Sequence, residues 1–171
     1  MFAKLNPKSL NENFFKTIGD EWMLITAGDN KNHNMMTASW GFFGIIWGKP
    51  SAVVAVRPQR YTLKFLNNND YFTLSFYGDK KYIHEVCGTM SGKDINKTEK
   101  LGLHPISDED TGAVYFKEAR LVFVCRKVYC GKLQKDNFLD NSIYKKNYPA
   151  DDLHSMFIGE IVSVLKNDEQ V

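Results

Sequence analysis

Residues 52–62 read AVVAVRPQRYT, an uninterrupted apolar strand pattern that ends in two arginines and a proline. An apolar run without polar alternation is typical of a strand that is covered on both faces. Pro58 cannot extend a central strand, and it holds the preceding Arg57 in an extended conformation. The following residues, 61–69, have the pattern of a short helix that ends at asparagines. The strand therefore delivers Arg57 and Arg60 to the start of a helix.

This strand-to-helix junction has two interpretations. Arginines at strand ends are commonly solvated, so an exposed turn with two spare charges accounts for them without a ligand. Alternatively, the free N–H groups of a helix start, the guanidinium donors of Arg57 and Arg60, and the neighbouring Tyr61 and Thr62 form a cradle for a phosphate. The segment taken alone leaves both interpretations open.

The composition is that of an ordinary globular chain, and 171 residues predict a single domain spanning 1–171. Apolar residues make up 43%, charged residues 25%, and the formal net charge of +2 argues against nucleic-acid binding. No apolar run approaches the roughly 20 residues that a membrane helix needs. The N-terminal residues also lack the apolar core of a signal peptide. We therefore expect a cytoplasmic protein that binds neither nucleic acid nor membrane.

The cysteines and histidines lack the spacing of a disulfide framework or a metal site. Cys87, Cys125 and Cys130 contain no C-x-x-C pair, and the four histidines are scattered along the chain. Iron–sulfur chemistry is disfavoured for the same reason. Any redox chemistry would then have to be carried by an organic cofactor.

The remaining patterns predict a mainly β fold with short helices. Strands are predicted at 21–28, 34–50, 51–56, 70–77, 119–133 and 154–165, and helices at 61–69 and 80–88. Glycines within 34–50 predict bends or bulges, as at the corners of barrels. At least six strands joined by short helices indicate an antiparallel barrel. A strand covered on both faces in so small a barrel indicates a partner chain.

A second polar segment, NMMTASWG at 34–41, lies in otherwise apolar surroundings. In an extended conformation, Thr37 and Ser39 share one face of this segment and Trp40 lies on the other. Buried hydroxyls need partners, which are either neighbouring backbone groups or the polar edge of a ligand. Asn34 and Trp40 have the same two interpretations, because a turn asparagine and a core tryptophan are common.

A third segment, CGTMSGKDINK at 87–97, forms a polar loop with two cations. Its chemically notable residues are Ser91, Gly92, Lys93 and Lys97. An exposed turn with solvated lysines explains this segment when it is considered alone. Its occurrence together with two other polar segments, in a chain whose strands are otherwise apolar, favours a ligand-binding site.

The order of these motifs resembles the flavin reductase-like, FMN-binding split-barrel family, and especially its flavoredoxin-type branch. The resemblance depends on four motifs in order: NMMTASWG (34–41), KPSAVVAVRPQRYT (49–62), CGTMSGKD with a following lysine (87–97) and HSMFIGEI (154–161). It implies a split β-barrel, mainly β with short helices, that forms a homodimer. It also implies one FMN per subunit, bound near the dimer interface.

The same resemblance implies roles for the polar residues. Asn34, Thr37, Ser39 and Trp40 would line the flavin and its ribityl chain. Arg57, Arg60, Tyr61 and Thr62 would surround the phosphate, while Ser91, Gly92 and Lys97 would close the site from the third loop. No catalytic acid or base is implied, because hydride chemistry takes place on the flavin.

One motif departs from the reductases of this family. Members with a nicotinamide site often have Gly-Asp before the histidine of a His-x-x-x-x-Gly-Glu pattern, whereas this chain has Asp151, Asp152 and Leu153 before His154. The resemblance implies an oxidoreductase that passes electrons through FMN, from NAD(P)H or a reduced partner, to a small acceptor or free flavin. The departure keeps open a non-enzymatic carrier of electrons between proteins. A third interpretation keeps the fold but binds another anion.

Overall fold

A computed structural model describes residues 1–167 and Glu169 of the chain. The strands are β1 (Phe2–Leu5), β2 (Met23–Gly28), β3 (His33–Ala38), β4 (Gly41–Ile46), β5 (Lys49–Val56), β6 (Tyr71–Phe76), β7 (Pro105–Ser107), β8 (Val114–Phe116), β9 (Leu121–Lys132) and β10 (Ser155–Asn167). The α-helices are α1 (Phe14–Lys16), α2 (Thr62–Asn68), α3 (Lys81–Thr89), α4 (Lys97–Leu101) and α5 (Asn141–Asn147). The fold is therefore mainly β with short helices, as predicted.

The main sheet is antiparallel, with the strand order β3-β2-β6-β9-β10-β5-β4 and with β1 paired to the end of β10. Its two edge strands, β3 and β4, are consecutive in the chain and are joined only by Ser39 and Trp40. So short a connection brings the two ends of the sheet together. The Ala55 amide donates a hydrogen bond of 3.3 Å to the Trp40 carbonyl at this junction. The curled sheet agrees with a split barrel.

The predicted strands match the structure where the apolar pattern is long. The segments predicted at 21–28, 70–77, 119–133 and 154–165 correspond to β2, β6, β9 and β10. The segment 34–50 forms β3, β4 and the start of β5 rather than one strand. The sequence did not predict β1, β7, β8 or α5, which are short or take little part in the main sheet.

Glycine positions explain the hairpin between β4 and β5. Trp47 and Gly48 have φ angles of 51° and 73°, which is the conformation of a tight two-residue turn. Gly44, by contrast, pairs in regular register with Ser51, so no β-bulge lies at this position. The register shifts occur instead between β9 and β10, at Ile158/Gly159 and at Ile161/Ser163.

Strand β5 is buried on both of its faces within one chain. Every residue from Ser51 to Val56 is buried by the chain itself. The two-sided coverage predicted from AVVAV is therefore confirmed, but it does not require a partner chain. One core cluster includes Phe72, Phe76 and Phe123, and a second lies under α3. In the described part of the chain, no helix has the length and apolar character needed to cross a membrane.

Candidate functional site

A continuous groove connects the three polar segments that the sequence singles out. Its inner part is lined by Met36, Thr37, Ala38, Ser39, Trp40, Ala55, Arg57, Arg60 and His154. Its outer part is lined by Asn34, Met36, Arg57, Gln59, Arg60, Tyr61, Thr62, Thr89, Met90, Ser91, Gly92 and Lys97. The two parts share Met36, Arg57 and Arg60, so they form one groove along the strand-to-helix junction.

Asn34, Thr62 and Gly92 meet at the base of the outer groove. The Asn34 side-chain amide donates a hydrogen bond of 2.7 Å to the Thr62 hydroxyl, and both side chains are buried. Gly92 packs directly against this pair, because a Cβ there would lie 1.9 Å from Asn34 Oδ1. One residue from each polar segment is therefore fixed in a single contact.

Lys97 places a buried positive charge in the outer groove. The residue is only 5% exposed, and its ammonium donates to the carbonyls of Met35 (2.8 Å) and Cys87 (3.2 Å). Burial lowers the pKa of Lys97, and the Arg60 charge lowers it further. Within the described residues, no carboxylate forms an ion pair with it. Because a buried charge is costly without a counter-charge, this arrangement fits an anionic ligand.

The two arginines of the junction have different environments. Arg60 lines both parts of the groove and donates 2.7 Å from Nη1 to the Gly88 carbonyl. Arg57 instead pairs with Asp152 and donates 2.9 Å to the Asn147 carbonyl. Hydrogen bonds from Gln59 and Arg57 lower the pKa of Asp152. The structure therefore leaves Arg60 without a carboxylate partner in the described chain and gives Arg57 one.

The segment around β3 presents fewer free hydroxyl groups to the inner groove than its sequence predicted. The Thr37 hydroxyl donates 2.8 Å to the His84 carbonyl of α3, which is the backbone alternative left open by the sequence. Ser39 and Trp40 are exposed at the rim of the inner groove. The Trp40 ring lies 4.9 Å from the His154 ring, between centroids. Thr37 and Trp40 thus supply a wall and a flat aromatic surface.

The remaining predicted residues shape the outer groove. Tyr61 precedes α2, whose first turn has no side-chain cap, and its ring packs edge-on against Phe65 at 5.3 Å. The Ser91 hydroxyl accepts a bond of 3.2 Å from the Lys93 amide, and its carbonyl accepts 3.1 Å from the amide of Asp94. Ser91 therefore stabilises the loop as well as lining the groove.

A sequence model of the "flavin reductase like domain" matches residues 15–171. This chain belongs to the flavin reductase-like family. The resemblance drawn from the four motifs is thereby confirmed. A search of curated proteins found no match.

Several solved structures of similar fold are of proteins whose names refer to flavins. Flavoredoxin of Desulfovibrio vulgaris (Miyazaki F) is 22% identical, with a TM-score of 0.67 over 86% of this chain and 70% of its own. An FMN-binding protein of Thermus thermophilus is 16% identical, with a TM-score of 0.68 over 88% and 73%. An NADH:FAD oxidoreductase of Streptomyces globisporus is 15% identical, with a TM-score of 0.66 over 99% and 90%. At these identities the likeness establishes the fold.

This flavin reductase-like chain has site residues that the sequence analysis did not assign. Met36 and Ala55 line the inner groove and carry no polar signal by which they could be found. His154, noted only as part of a motif, is 6% exposed, and its Nδ1 lies 2.9 Å from the Tyr148 hydroxyl. Burial, reinforced by the charge of Arg57, lowers the pKa of His154 to about 4. The imidazole is therefore neutral at neutral pH.

The cysteines of this flavin reductase-like protein lie outside the groove lining. Cys87 and Cys125 are buried, Cys130 is exposed, and all three are free thiols. Burial raises the pKa of Cys87 to about 11, which disfavours the reactive thiolate. Among the described residues, no cluster of three or more His, Cys, Asp or Glu side chains is arranged to hold a metal ion.

Proposed function

We propose that residues 1–171 act as one FMN-binding domain of an oxidoreductase. The observation that carries this proposal is the convergence of Arg60 and the buried Lys97 on one groove, beside the Asn34–Thr62 contact. An FMN phosphate carries about −1.5 to −2 charges, by analogy with other phosphomonoesters. Two cations that lack carboxylate partners among the described residues match that charge. Membership of the flavin reductase-like family supports a flavin as the ligand.

The groove fits FMN with the phosphate at its outer part and the ring at its inner part. Arg60 and Lys97 would bind the phosphate, with Tyr61, Thr62, Ser91 and Gly92 around it. Asn34 would lie along the ribityl chain. The inner groove offers the flat Trp40 ring, the apolar Met36 and Ala55, and the rim hydroxyl of Ser39. Arg57, held by Asp152, would act mainly by positioning Trp40 and Tyr148, whose ring centroids lie 6.0 and 5.3 Å from its guanidinium carbon.

In this proposal FMN supplies the redox chemistry, taking up electrons from NAD(P)H or a reduced protein and passing them to a small acceptor or free flavin. The chain's own residues bind and orient the cofactor and limit access of water to it. His154 presents a neutral imidazole at the ring end of the groove, close to Trp40. No side chain is assigned as a catalytic acid or base.

A specific observation favours the alternative of a non-enzymatic electron carrier. Asp152, at the position where the motif departs from nicotinamide-using reductases, pairs with Arg57 at the edge of the inner groove, beside His154. This pair occupies polar groups that a nicotinamide nucleotide could otherwise contact. The flavoredoxin among the structures of similar fold supports the same alternative.

Absorption spectra and anaerobic kinetics test the proposal. The protein should bind FMN, with the flavin absorption bands perturbed relative to free FMN. Rapid bleaching of bound FMN on mixing with NADH or NADPH would support the enzyme. Bleaching only by a reduced electron-transfer protein would support the carrier. A protein that neither contains nor takes up FMN would reject both and leave the binding of another anion.

The family resemblance also leads us to propose a homodimer. The β4–β5 hairpin exposes Phe42, Ile45 and Trp47, which are 54%, 63% and 67% accessible in the single chain. We define these three residues as the hairpin patch. Phe42 and Ile45 are three residues apart in β4 and so lie on opposite faces of the hairpin. Large apolar side chains left exposed on both faces of one hairpin favour its burial against a second copy of the chain. The cytoplasmic location expected from the sequence stays a prediction.

A further inference from the structure

The imidazole of His154 is enclosed by two aromatic rings at the inner groove. Its ring centroid lies 4.9 Å from that of Trp40 and 5.5 Å from that of Tyr148. His154 is only 6% exposed, and Tyr148, which follows the last residue of α5, is only 4% exposed. A ring packed in this way has little freedom to turn. The partners of its two nitrogens therefore decide what it presents to the groove.

The two ring nitrogens of His154 have different surroundings. Nδ1 lies 2.9 Å from the Tyr148 hydroxyl, in a buried contact. Nε2 has no hydrogen-bond partner in the part of the chain that the structure describes, yet it is not sealed within the core as Nε2 of His84 is. Because His154 lines the inner groove, Nε2 is the nitrogen that a ligand in the groove can contact.

The Tyr148 hydroxyl is the donor in its hydrogen bond with Nδ1. Burial raises the pKa of Tyr148, so the phenol keeps its proton at neutral pH. Among the described residues this hydroxyl has no other acceptor, and a buried hydroxyl needs one. Nδ1 of His154 therefore accepts. Since the imidazole is neutral at this pH, its single proton lies on Nε2.

We propose that Tyr148 is a positioning residue, which holds His154 so that Nε2–H is presented to the inner groove as a hydrogen-bond donor. The substrate that fits is a small, flat molecule with an accepting oxygen, such as an aromatic aldehyde, packed beside the Trp40 ring. A molecule that presents an N–H group at the same point meets a second donor and is disfavoured. The inference rests on the proposed function, because it takes the flavin ring to lie in the inner groove.

Nitrogen NMR of the flavin-free full chain, with isotope-labelled histidine, tests the position of the proton without any cofactor. At neutral pH, His154 should carry its proton on Nε2. His33 is the internal reference for the opposite form, because its Nδ1 lies 3.0 Å from the Asp29 carbonyl and has to donate to it. A proton on Nδ1 of His154 would overturn the proposal.

Tyr148→Phe removes the donor and keeps the aromatic ring. In this variant the Nδ1 resonance of His154 should shift and the Nε2–H form should lose population, because Nδ1 no longer has a donor. Tyr144→Phe is the matched control, since the Tyr144 hydroxyl on the same helix bonds to Asp151 at 3.0 Å and should leave the His154 resonances unchanged. Identical His154 spectra for Tyr148→Phe and the wild-type protein would contradict the positioning role. The wild-type spectrum decides the tautomer even if this variant does not fold.

Titration of the FMN-loaded protein with benzaldehyde and with aniline, followed by flavin absorption, tests the substrate class. The wild-type protein should bind benzaldehyde roughly three- to tenfold more tightly, the range for one neutral hydrogen bond. Tyr148→Phe should reduce this preference, and Tyr144→Phe should retain it. Equal affinities in the wild-type protein would overturn the substrate class. A chain that binds no FMN but shows the Tyr148-dependent Nε2–H form would retain the positioning role and reject the proposed function.

Discussion

The side-chain amide of Asn34 donates a hydrogen bond of 2.7 Å to the hydroxyl of Thr62, and both residues are buried. This bond connects β3 to the first turn of α2 and so fixes the distance between the two walls of the groove. Gly92 brings the third polar segment against the same amide. The geometry of the outer groove therefore depends on a small buried polar contact rather than on the exposed charges alone.

Replacement of Thr62 by valine should destabilise the protein. Valine keeps the shape of threonine but leaves the buried Asn34 amide without its acceptor, which should lower the free energy of unfolding by about 1–3 kcal/mol. Urea denaturation measures this difference. Thr62→Ser retains the hydroxyl and serves as the control for the bond. Equal stability of Thr62→Val and the wild-type protein would contradict a structural role for the contact.

Gly92→Ala should disturb the same contact from the other side. The new Cβ would lie 1.9 Å from Asn34 Oδ1, so the buried amide must move. Overpacking of this kind costs about 1–3 kcal/mol, and we expect weaker FMN binding as well as lower stability. Gly19→Ala is the matched control, because a Cβ at Gly19 has no neighbour within 4 Å. The idea fails if both alanine variants behave alike in fluorescence titration and urea denaturation.

The two arginines of AVVAVRPQRYT should differ in their effect on FMN binding. Arg60→Ala should weaken binding by about 1–3 kcal/mol, the range for a hydrogen bond to a charged group. Arg57→Ala should have a smaller effect on affinity, because its charge is already paired with Asp152. Titration of FMN fluorescence measures both constants. An unchanged dissociation constant for Arg60→Ala would remove Arg60 from the phosphate site.

Buried histidines predict a loss of stability in acid. Burial, with a contribution from Lys81, lowers the pKa of His84 to about 4, against about 6.5 in the unfolded chain. Between these values the unfolded chain binds a proton that the folded protein excludes, so the free energy of unfolding falls as the pH drops from about 6.5 to 4. The pKa of His154 is lowered to about 4 as well, which adds to the same trend.

His84→Phe tests this origin of the acid sensitivity. Phenylalanine retains an aromatic ring against Trp22 and Tyr77 but cannot take up a proton. The loss of stability between about pH 6.5 and 4 should be smaller in the variant by about 1–3 kcal/mol. Urea denaturation at several pH values measures both curves. Parallel curves would show that another group causes the loss.

The hairpin patch should hold the proposed homodimer together. Phe42→Asp places a charge within the patch and should shift the protein towards monomer in sedimentation experiments, because burying an unpaired carboxylate is costly. Leu139→Asp is the matched control, since Leu139 is fully exposed outside the patch. A dimer that survives Phe42→Asp, or a wild-type protein that is monomeric, would contradict the proposal.

Much of the fold could be predicted from the sequence, because a long apolar run indicates a buried strand without any knowledge of tertiary contacts. The strands β2, β6, β9 and β10 follow from apolar patterns that a sheet must bury on at least one face. The short strands β7 and β8 gave no such signal, since their pairing is with each other and outside the main sheet. The segment 34–50 is divided twice, at Ser39–Trp40 between β3 and β4 and at Trp47–Gly48 between β4 and β5. The second break depends on a positive φ at Trp47, which a non-glycine side chain does not favour.

The candidate site, like the fold, has a part that the sequence predicted and a part that it did not. Residue type and motif order predicted which segments contribute to it, including Asn34, Arg60 and Lys97, because charged and polar side chains in an apolar chain need partners or ligands. Sequence did not separate Arg57 from Arg60, since the partner of Arg57 is Asp152, 95 residues away. It also gave no reason to choose Met36 or Ala55, which look like any other core residues.

The sequence by itself determined the long strands, the strand-to-helix junction and the membership in the flavin reductase-like family, because these depend on local patterns and their order. Only the tertiary structure decided which charges have a carboxylate partner among the described residues and which do not. That outcome depends on the distances between side chains remote in the chain, and these are set by how the sheet curls. The clearest example is the contrast between Lys97, which is buried beside Arg60, and Arg57, which is paired with Asp152.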